Sequence, residues 1–140
     1  MQIKEIMTCD PEHISPDTSL AKAAQMMRDH GYGFIPVDYH DKLIGMVTDR
    51  DMVIRGVANG GDPQRMTVAD VMTKKVLYCY EDQNINEVAE NMRQQQVHRL
   101  IVLNRDKRLV GIVSLGDLSV KGKDDKLCGK VLHGISEEMH

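Results

Sequence analysis

Apolar and polar positions alternate along this chain in two rhythms, and the pair of rhythms occurs twice. Leu20, Ala23, Ala24 and Met27 fall at i, i+3, i+4 and i+7, the stripe of an amphipathic helix. Ser19 or Thr18 can cap its start, and Gly31 can end it. Phe34-Ile35-Pro36-Val37 is then a short apolar run suited to a buried strand. His40-Asp41-Lys42 is a polar turn, and Leu43 to Val47 is a second strand, so the pair predicts a hairpin. The same succession returns further on. Ile85, Val88, Ala89 and Met92 repeat the helical stripe, with Asn84 or Asn86 near its start. Leu100 to Leu103, Asn104 to Arg108 and Leu109 to Val113 repeat strand, turn and strand. A further helix is predicted after each hairpin, starting at Thr48 and at Ser114.

The recurrence holds residue by residue. Ile6-Met7-Thr8 returns as Val71-Met72-Thr73, and the same offset carries Met27 onto Met92, Arg28 onto Arg93 and Val37 onto Val102. After one inserted residue, Arg108, Leu43-Ile44-Gly45-Met46-Val47-Thr48 lands on Leu109-Val110-Gly111-Ile112-Val113-Ser114, and Asp51 lands on Asp117. The chain therefore reads as two tandem β-α-β-β-α repeats, residues 1–57 and 67–122, joined by a linker over 58–66 that contains Asn59-Gly60-Gly61-Asp62-Pro63. Residues 123–140 form a polar tail with an apolar stripe at Leu127, Val131, Leu132 and Ile135, read as a short docking helix and a loose end. A repeat of this size buries little surface alone. The expectation is an α+β fold whose two repeats pack through their sheets about an approximate two-fold axis, leaving two equivalent clefts.

Composition narrows the function. Hydrophobic residues make up 41% of the 140 positions and charged residues 28%, a globular balance. Aromatics are only 4%, so Ile, Leu, Val, Ala and ten Met must build the core. A net charge of −3 argues against binding duplex nucleic acid, which needs a concentrated basic face. Cys9, Cys79 and Cys128 are far apart and odd in number, as expected of reduced thiols in a cytoplasmic protein. Met1 to Glu5 carries a charge pair where a signal peptide has its apolar core, and no apolar run has the length of a membrane helix. No nucleophile elbow, Walker loop, HExxH or paired-carboxylate motif is present, so catalysis has little support.

Seven positions carry candidate chemistry. Thr48 with Asp51, and Ser114 with Asp117, read first as helix caps with an acid in the first turn. The same geometry suits a ligand, because a carboxylate can accept both hydroxyls of a cis-diol. Arg99 stands at the head of an apolar strand beside His98, and its guanidinium fork matches phosphate oxygens as well as it matches a carboxylate. Repeat one has Gly33-Phe34 at these places and so lacks the pair. It carries Arg50 inside its Thr-x-x-Asp motif, where repeat two has Gly116; a solvated first-turn arginine is the plainer reading.

Met-Thr at the head of each repeat, Gly-hydrophobic-Val-[Thr/Ser]-x-x-Asp after each hairpin, and Val97-His98-Arg99-Leu100 together resemble a tandem pair of cystathionine-β-synthase (CBS) domains, a Bateman module. The resemblance spans residues 3 to 122. Val47 to Arg55 is similar to small stand-alone bacterial members, and His98 to Leu115 to a nucleotide-binding copy in the γ subunit of AMP-activated kinase. It implies a regulatory module, not an enzyme, that requires no cofactor and takes AMP, ADP, ATP, NAD, S-adenosylmethionine or a cyclic dinucleotide in its inter-repeat clefts. By the same resemblance Asp51 and Asp117 hold ribose hydroxyls, Thr48 and Ser114 approach ribose or phosphate, and His98 and Arg99 face the phosphates, with Arg50 as repeat one's own cation. Ile14, Phe34, Ile35 and Pro36 in one repeat, and Cys79, Leu100 and Ile101 in the other, would wall the base. A disc-shaped homodimer and an effector protein are implied as partners. Two other classes stay open: an assembly module with empty clefts, and a thiol- or metal-linked sensor built on Cys79 and His98.

Overall fold

The computed structural model describes residues 1–137 of the chain; the last three residues of the expected loose end lie outside the described residues. In chain order the elements are β1 (Thr8–Cys9), α1 (Leu20–His30), β2 (Phe34–Tyr39), β3 (Lys42–Thr48), α2 (Asp49–Asp51), α3 (Val68–Val71), β4 (Tyr78–Tyr80), α4 (Ile85–Gln95), β5 (Arg99–Leu103), β6 (Leu109–Ser114), α5 (Leu115–Val120) and α6 (Asp125–Ser136). Turns of 3-10 helix cover Ile3–Glu5 and Val57–Asn59. A π turn at Met52–Gly56 follows α2. Repeat two instead continues as α5, with no π turn.

The chain forms two compact units, residues 12–76 and residues 1–11 with 77–140. The Met-Thr head of each sequence repeat thus belongs to the unit that holds the other repeat's hairpin. In the unit of residues 12–76, β2 and β3 form the hairpin, Ile14 bridges Val37 in parallel and Thr73 bridges Met46 antiparallel. The other unit has the same order in fuller form, a four-stranded sheet β1-β6-β5-β4 in which Thr8 pairs with Ile112 and Cys79 with Val102. The predicted first strand is therefore three residues long in one unit and a single bridge in the other.

A close approach explains the glycine of each Gly-hydrophobic-Val motif. A Cβ on Gly111 would stand 2.6 Å from Met7 Sδ and 2.8 Å from the Thr8 carbonyl oxygen; on Gly45 it would stand 2.8 Å from the Thr73 carbonyl oxygen. Only a residue without a side chain lets the Met-Thr segment lie along the hairpin. A cation on the helical segment after each hairpin fastens the same segment. Arg55 donates to the carbonyls of Val71 and Met72 at 3.0 and 3.1 Å, and Lys121 donates to the carbonyl of Ile6 at 3.2 Å.

Local signals form the helices as the pattern predicts. Ser19 accepts from the Lys22 N–H at the start of α1, and Gly31 ends it with φ +74°. Asn84 caps α4 through the Glu87 N–H, and Gln96 takes the left-handed position that glycine occupies in repeat one. His40 and Asp41 both have positive φ, which closes the β2–β3 hairpin in two residues. Each unit has its own core. Leu20, Ala23 and Met27 meet Ile35, Val37, Val47, Val68 and Val71 in one. Val88, Ala89 and Met92 meet Leu100, Val102, Val113 and Leu118 in the other, joined there by Ile3 and Ile6 and by Val131 and Ile135 of α6. The apolar stripe of the tail is thus one face of a twelve-residue helix in that core. Gly134 permits the packing, since a Cβ there would meet Arg93 Cγ. The linker also folds back: its Pro63 and Met66 carbonyls accept the Ala21 and Leu20 N–H groups. Among the described residues no helix is long and apolar enough to cross a membrane.

Candidate functional site

The Thr-x-x-Asp and Ser-x-x-Asp motifs form the same capping box. Thr48 Oγ1 accepts from the Asp51 N–H at 3.1 Å while Asp51 Oδ2 accepts from the Thr48 N–H at 3.0 Å; for Ser114 and Asp117 the distances are 3.0 and 2.9 Å. Each box commits one carboxylate oxygen and leaves the other. In Asp117 that second oxygen, Oδ1, lies 3.9 Å from Lys121 Nζ. The cap is therefore real in both repeats, and it holds each half-buried carboxylate in one orientation beside the end of a strand.

Strand register sets what stands opposite each cap. Arg99 pairs across the hairpin with Ser114, and Phe34 pairs with Thr48. The His98 carbonyl accepts the Leu115 N–H, and the Gly33 carbonyl accepts the Asp49 N–H, so the two hairpin ends are built alike. Their side chains differ in charge. His98 and Arg99 are both exposed, and among the described residues no hydrogen bond or ion pair engages either side chain. In repeat one, Asp49 Oδ2 lies 2.6 Å from where a Cβ on Gly33 would stand, so a carboxylate fills the place of the His98 side chain. Asp49 Oδ1 accepts the Arg50 N–H at 2.9 Å, and the exposed Arg50 side chain has no ion-pair partner among the described residues. Asp49 carries no motif of its own; its counterpart in the repeat register is Leu115, and that difference is its one mark in the sequence.

A cavity of about 520 Å³ opens beside the cationic end. His98, Arg99 and Ser114 line one side of it, and Cys128, Gly129 and Leu132 of α6 line another. Leu115, Gly116 and Ser119 complete it, so among the described residues no acidic side chain lines it, although Cys128, whose pKa burial raises, has Asp124 and Asp125 near enough to raise it further. The structure thus brings together His98, Arg99 and Ser114 from the predicted set, with Asp117 tied to Ser114 through the box. The remaining candidates stand elsewhere. Ile14, Phe34, Ile35 and Pro36 are buried in the unit of residues 12–76, and Cys79, Leu100 and Ile101 in the other. Their backbones lie on adjacent strands: the Ile14 N–H donates to the Pro36 carbonyl, and the Ile101 N–H to the Leu77 carbonyl.

Burial settles the state of one thiol. Cys79 is 1% exposed, and its apolar surroundings push its pKa from the ordinary 9.0 up to about 12. Below about pH 9 the thiol is protonated in folded and unfolded chain alike. As pH rises from about 9 toward 12 the unfolded chain loses a proton that the folded chain keeps, so this thiol lowers stability over that window. At pH 8 a disulfide reagent is expected to label the exposed Cys9 quickly and Cys79 only on unfolding. Mass mapping of the labelled native protein checks this, and modification of Cys79 at the rate of Cys9 would contradict it. Among the described residues, no group of three His, Cys, Asp or Glu side chains stands close enough to hold a metal ion.

Residues 3–56 and 68–121 each match the model of the CBS domain. The chain belongs to the CBS-domain family. It is 38% identical over 138 residues to the uncharacterized protein YlbB of Bacillus subtilis strain 168, covering 97% of this chain and 92% of that one. Among solved structures, Hypoxic Response Protein I with two coordinated zinc ions is 35% identical, with a TM-score of 0.74 over 85% of this chain and 97% of that chain. The CBS domain pair of protein MJ0100, in complex with 5′-methylthioadenosine and S-adenosyl-L-methionine, is 28% identical, with a TM-score of 0.76 over 89% of this chain and 98% of that chain. The two CBS matches contain both capping boxes, both hairpins and the His98-Arg99 pair. They end at residue 121, so α6 lies beyond them.

Proposed function

We propose that this CBS pair is a regulatory module that binds an adenine-type nucleotide and answers with a change of conformation or of dimer contact. One observation carries the reading. Arg99 is an exposed guanidinium set across the hairpin from Ser114; among the described residues it has no ion-pair partner and no acid lines its cavity. An anion of the ligand is the partner that such a fork fits. The carboxylates of Asp117 and Asp51, each oriented by its cap through one oxygen, then take ribose hydroxyls on the other, which in Asp117 also lies 3.9 Å from Lys121 Nζ. Within each unit backbone groups frame the base, beside Ile14, Ile35 and Pro36 in one and beside Cys79, Leu100 and Ile101 in the other, since those side chains are buried. The adenosyl compounds bound by the CBS pair of MJ0100 support the choice of ligand class.

The test is thermal unfolding with and without AMP, ADP, ATP, NAD, S-adenosylmethionine and cyclic dinucleotides. A ligand at about 100 times its Kd adds roughly 2.7 kcal/mol, which raises Tm by roughly 5–10 °C in a protein of this size. No shift with any of them would leave the second reading, an assembly module with empty sites. That reading draws on the apolar side chains exposed on the segments after the hairpins: Val53, Ile54 and Val57 in one unit and Val120 in the other.

A further inference from the structure

The α6 wall of the cavity contains a residue that the fold does not require. Gly129 sits in the middle of a twelve-residue helix, where glycine weakens the helix by about 1 kcal/mol relative to alanine. Its φ is not positive, and a Cβ there would meet no atom within 4 Å. Gly134, five residues on, is different, since it makes room for Arg93. Gly129 makes room for nothing in the protein. It also faces two spaces at once. One is the cavity of His98, Arg99 and Ser114. The other is a cavity of about 590 Å³ between α6 and α4, lined besides Gly129 and Gly134 by four basic side chains, Arg93, Lys126, Lys130 and His133, and one acid, Glu137.

In that second cavity Arg93 is committed to Glu90, and His133 is hydrogen bonded to Glu137 at 3.1 Å. Lys126 and Lys130 are exposed and have no ion-pair partner among the described residues. Gly129 is thus a low saddle between the uncommitted Arg99, with His98 beside it, and the uncommitted pair Lys126 and Lys130.

We propose that the saddle at Gly129 carries a polyphosphate chain, so that this site selects nucleoside di- and triphosphates over monophosphates. The first phosphate meets Arg99, and the following phosphates cross α6 at Gly129 to Lys126 and Lys130. The inference rests on the nucleotide-binding reading for its nucleoside, but the anion path has a probe of its own in inorganic tripolyphosphate.

The experiment measures Kd by calorimetry for AMP, ADP, ATP and tripolyphosphate on the full chain, on Gly129→Leu and on the double variant Lys126→Ala/Lys130→Ala. Expected is tighter binding in the order ATP, ADP, AMP. The ATP-to-AMP affinity ratio should fall about tenfold in each variant, as befits two partly exposed charge contacts. The unliganded Gly129→Leu protein should melt at or above the wild-type temperature, since leucine favours the helix and meets open space; a lower melt would show that the saddle is not open and overturn the proposal. AMP binding with an unchanged ratio in both variants would overturn the polyphosphate path and leave the nucleotide reading standing. Tripolyphosphate binding that Gly129→Leu weakens, with no nucleotide bound, would sink the nucleotide reading and keep the path. No binding of any of the four would sink both.

Discussion

Gly111→Val is expected to cost the protein about 3 kcal/mol or more and to lower its Tm by roughly 10 °C. Strand preference alone argues the other way, because valine is favoured and glycine disfavoured in a strand interior. The clash decides. A Cβ at this position would lie 2.8 Å from the Thr8 carbonyl oxygen, and that oxygen cannot retreat. It belongs to a segment fixed by the pairings Thr8 with Ile112 and Cys9 with Gly111, by Ile3 and Ile6 in the core, and by the Lys121 ammonium on the Ile6 carbonyl. Valine would have to push the whole segment off the sheet. Gly45→Val should act in the same direction in the other unit, where the Thr73 carbonyl is the obstacle. Denaturant and thermal melts of both variants check this. A Gly111→Val protein as stable as wild type would mean that the Met-Thr segment does not lie along β6.

Arg99→Ala is expected to weaken adenine-nucleotide binding by tenfold or more while leaving Tm of the unliganded protein within about 2 °C of wild type. The side chain is exposed and has no ion-pair partner among the described residues, so its removal leaves no buried group unsatisfied. Phe34→Ala, at the matching position, should do the reverse. Phe34 is only 8% exposed, so truncation opens a cavity and costs about 3 kcal/mol. The capping boxes also dictate how the ribose role must be tested. Asp117→Ala would remove a cap as well as a ligand contact, because Asp117 Oδ2 accepts the Ser114 N–H. Asp117→Asn keeps an acceptor for that N–H and puts an amide NH2, a donor, where the second carboxylate oxygen faced the diol. Calorimetric titration of Asp117→Asn and Asp51→Asn should therefore show weaker nucleotide binding at near-native Tm. Undiminished affinity in both would remove the ribose role from these residues.

The candidate site was partly legible for a definite reason. A cap motif is local: Thr-x-x-Asp fixes its own hydrogen bonds within one helical turn, so both boxes could be read directly. Register is nearly local, since a hairpin with a short turn places Arg99 opposite Ser114 and Phe34 opposite Thr48. What could not be read is the filling of a space from a distant position. Asp49 occupies the room that Gly33 leaves, and Cys128, Gly129 and Leu132 wall a cavity about thirty residues after the strand that begins it. The same limit applies to the base-framing residues. An apolar run announces burial, but not that Leu100 and Ile101 are buried so completely that only their backbone would be left to a ligand.

The sequence by itself determined the repeat, the amphipathic helices with their caps, the two hairpins and the family, because each follows from a periodic pattern or a short motif. The tertiary structure decided how those pieces are shared. The Met-Thr head of each repeat lies along the other repeat's hairpin, a pairing that depends on two surfaces fitting at a glycine and on a cation reaching carbonyls far away in sequence. It also decided that the tail helix is part of the core of one unit and one wall of its cationic cavity. Nothing in a stripe of Leu127, Val131, Leu132 and Ile135 says which apolar surface it will cover; shape complementarity at Gly134 and Arg93 makes that choice.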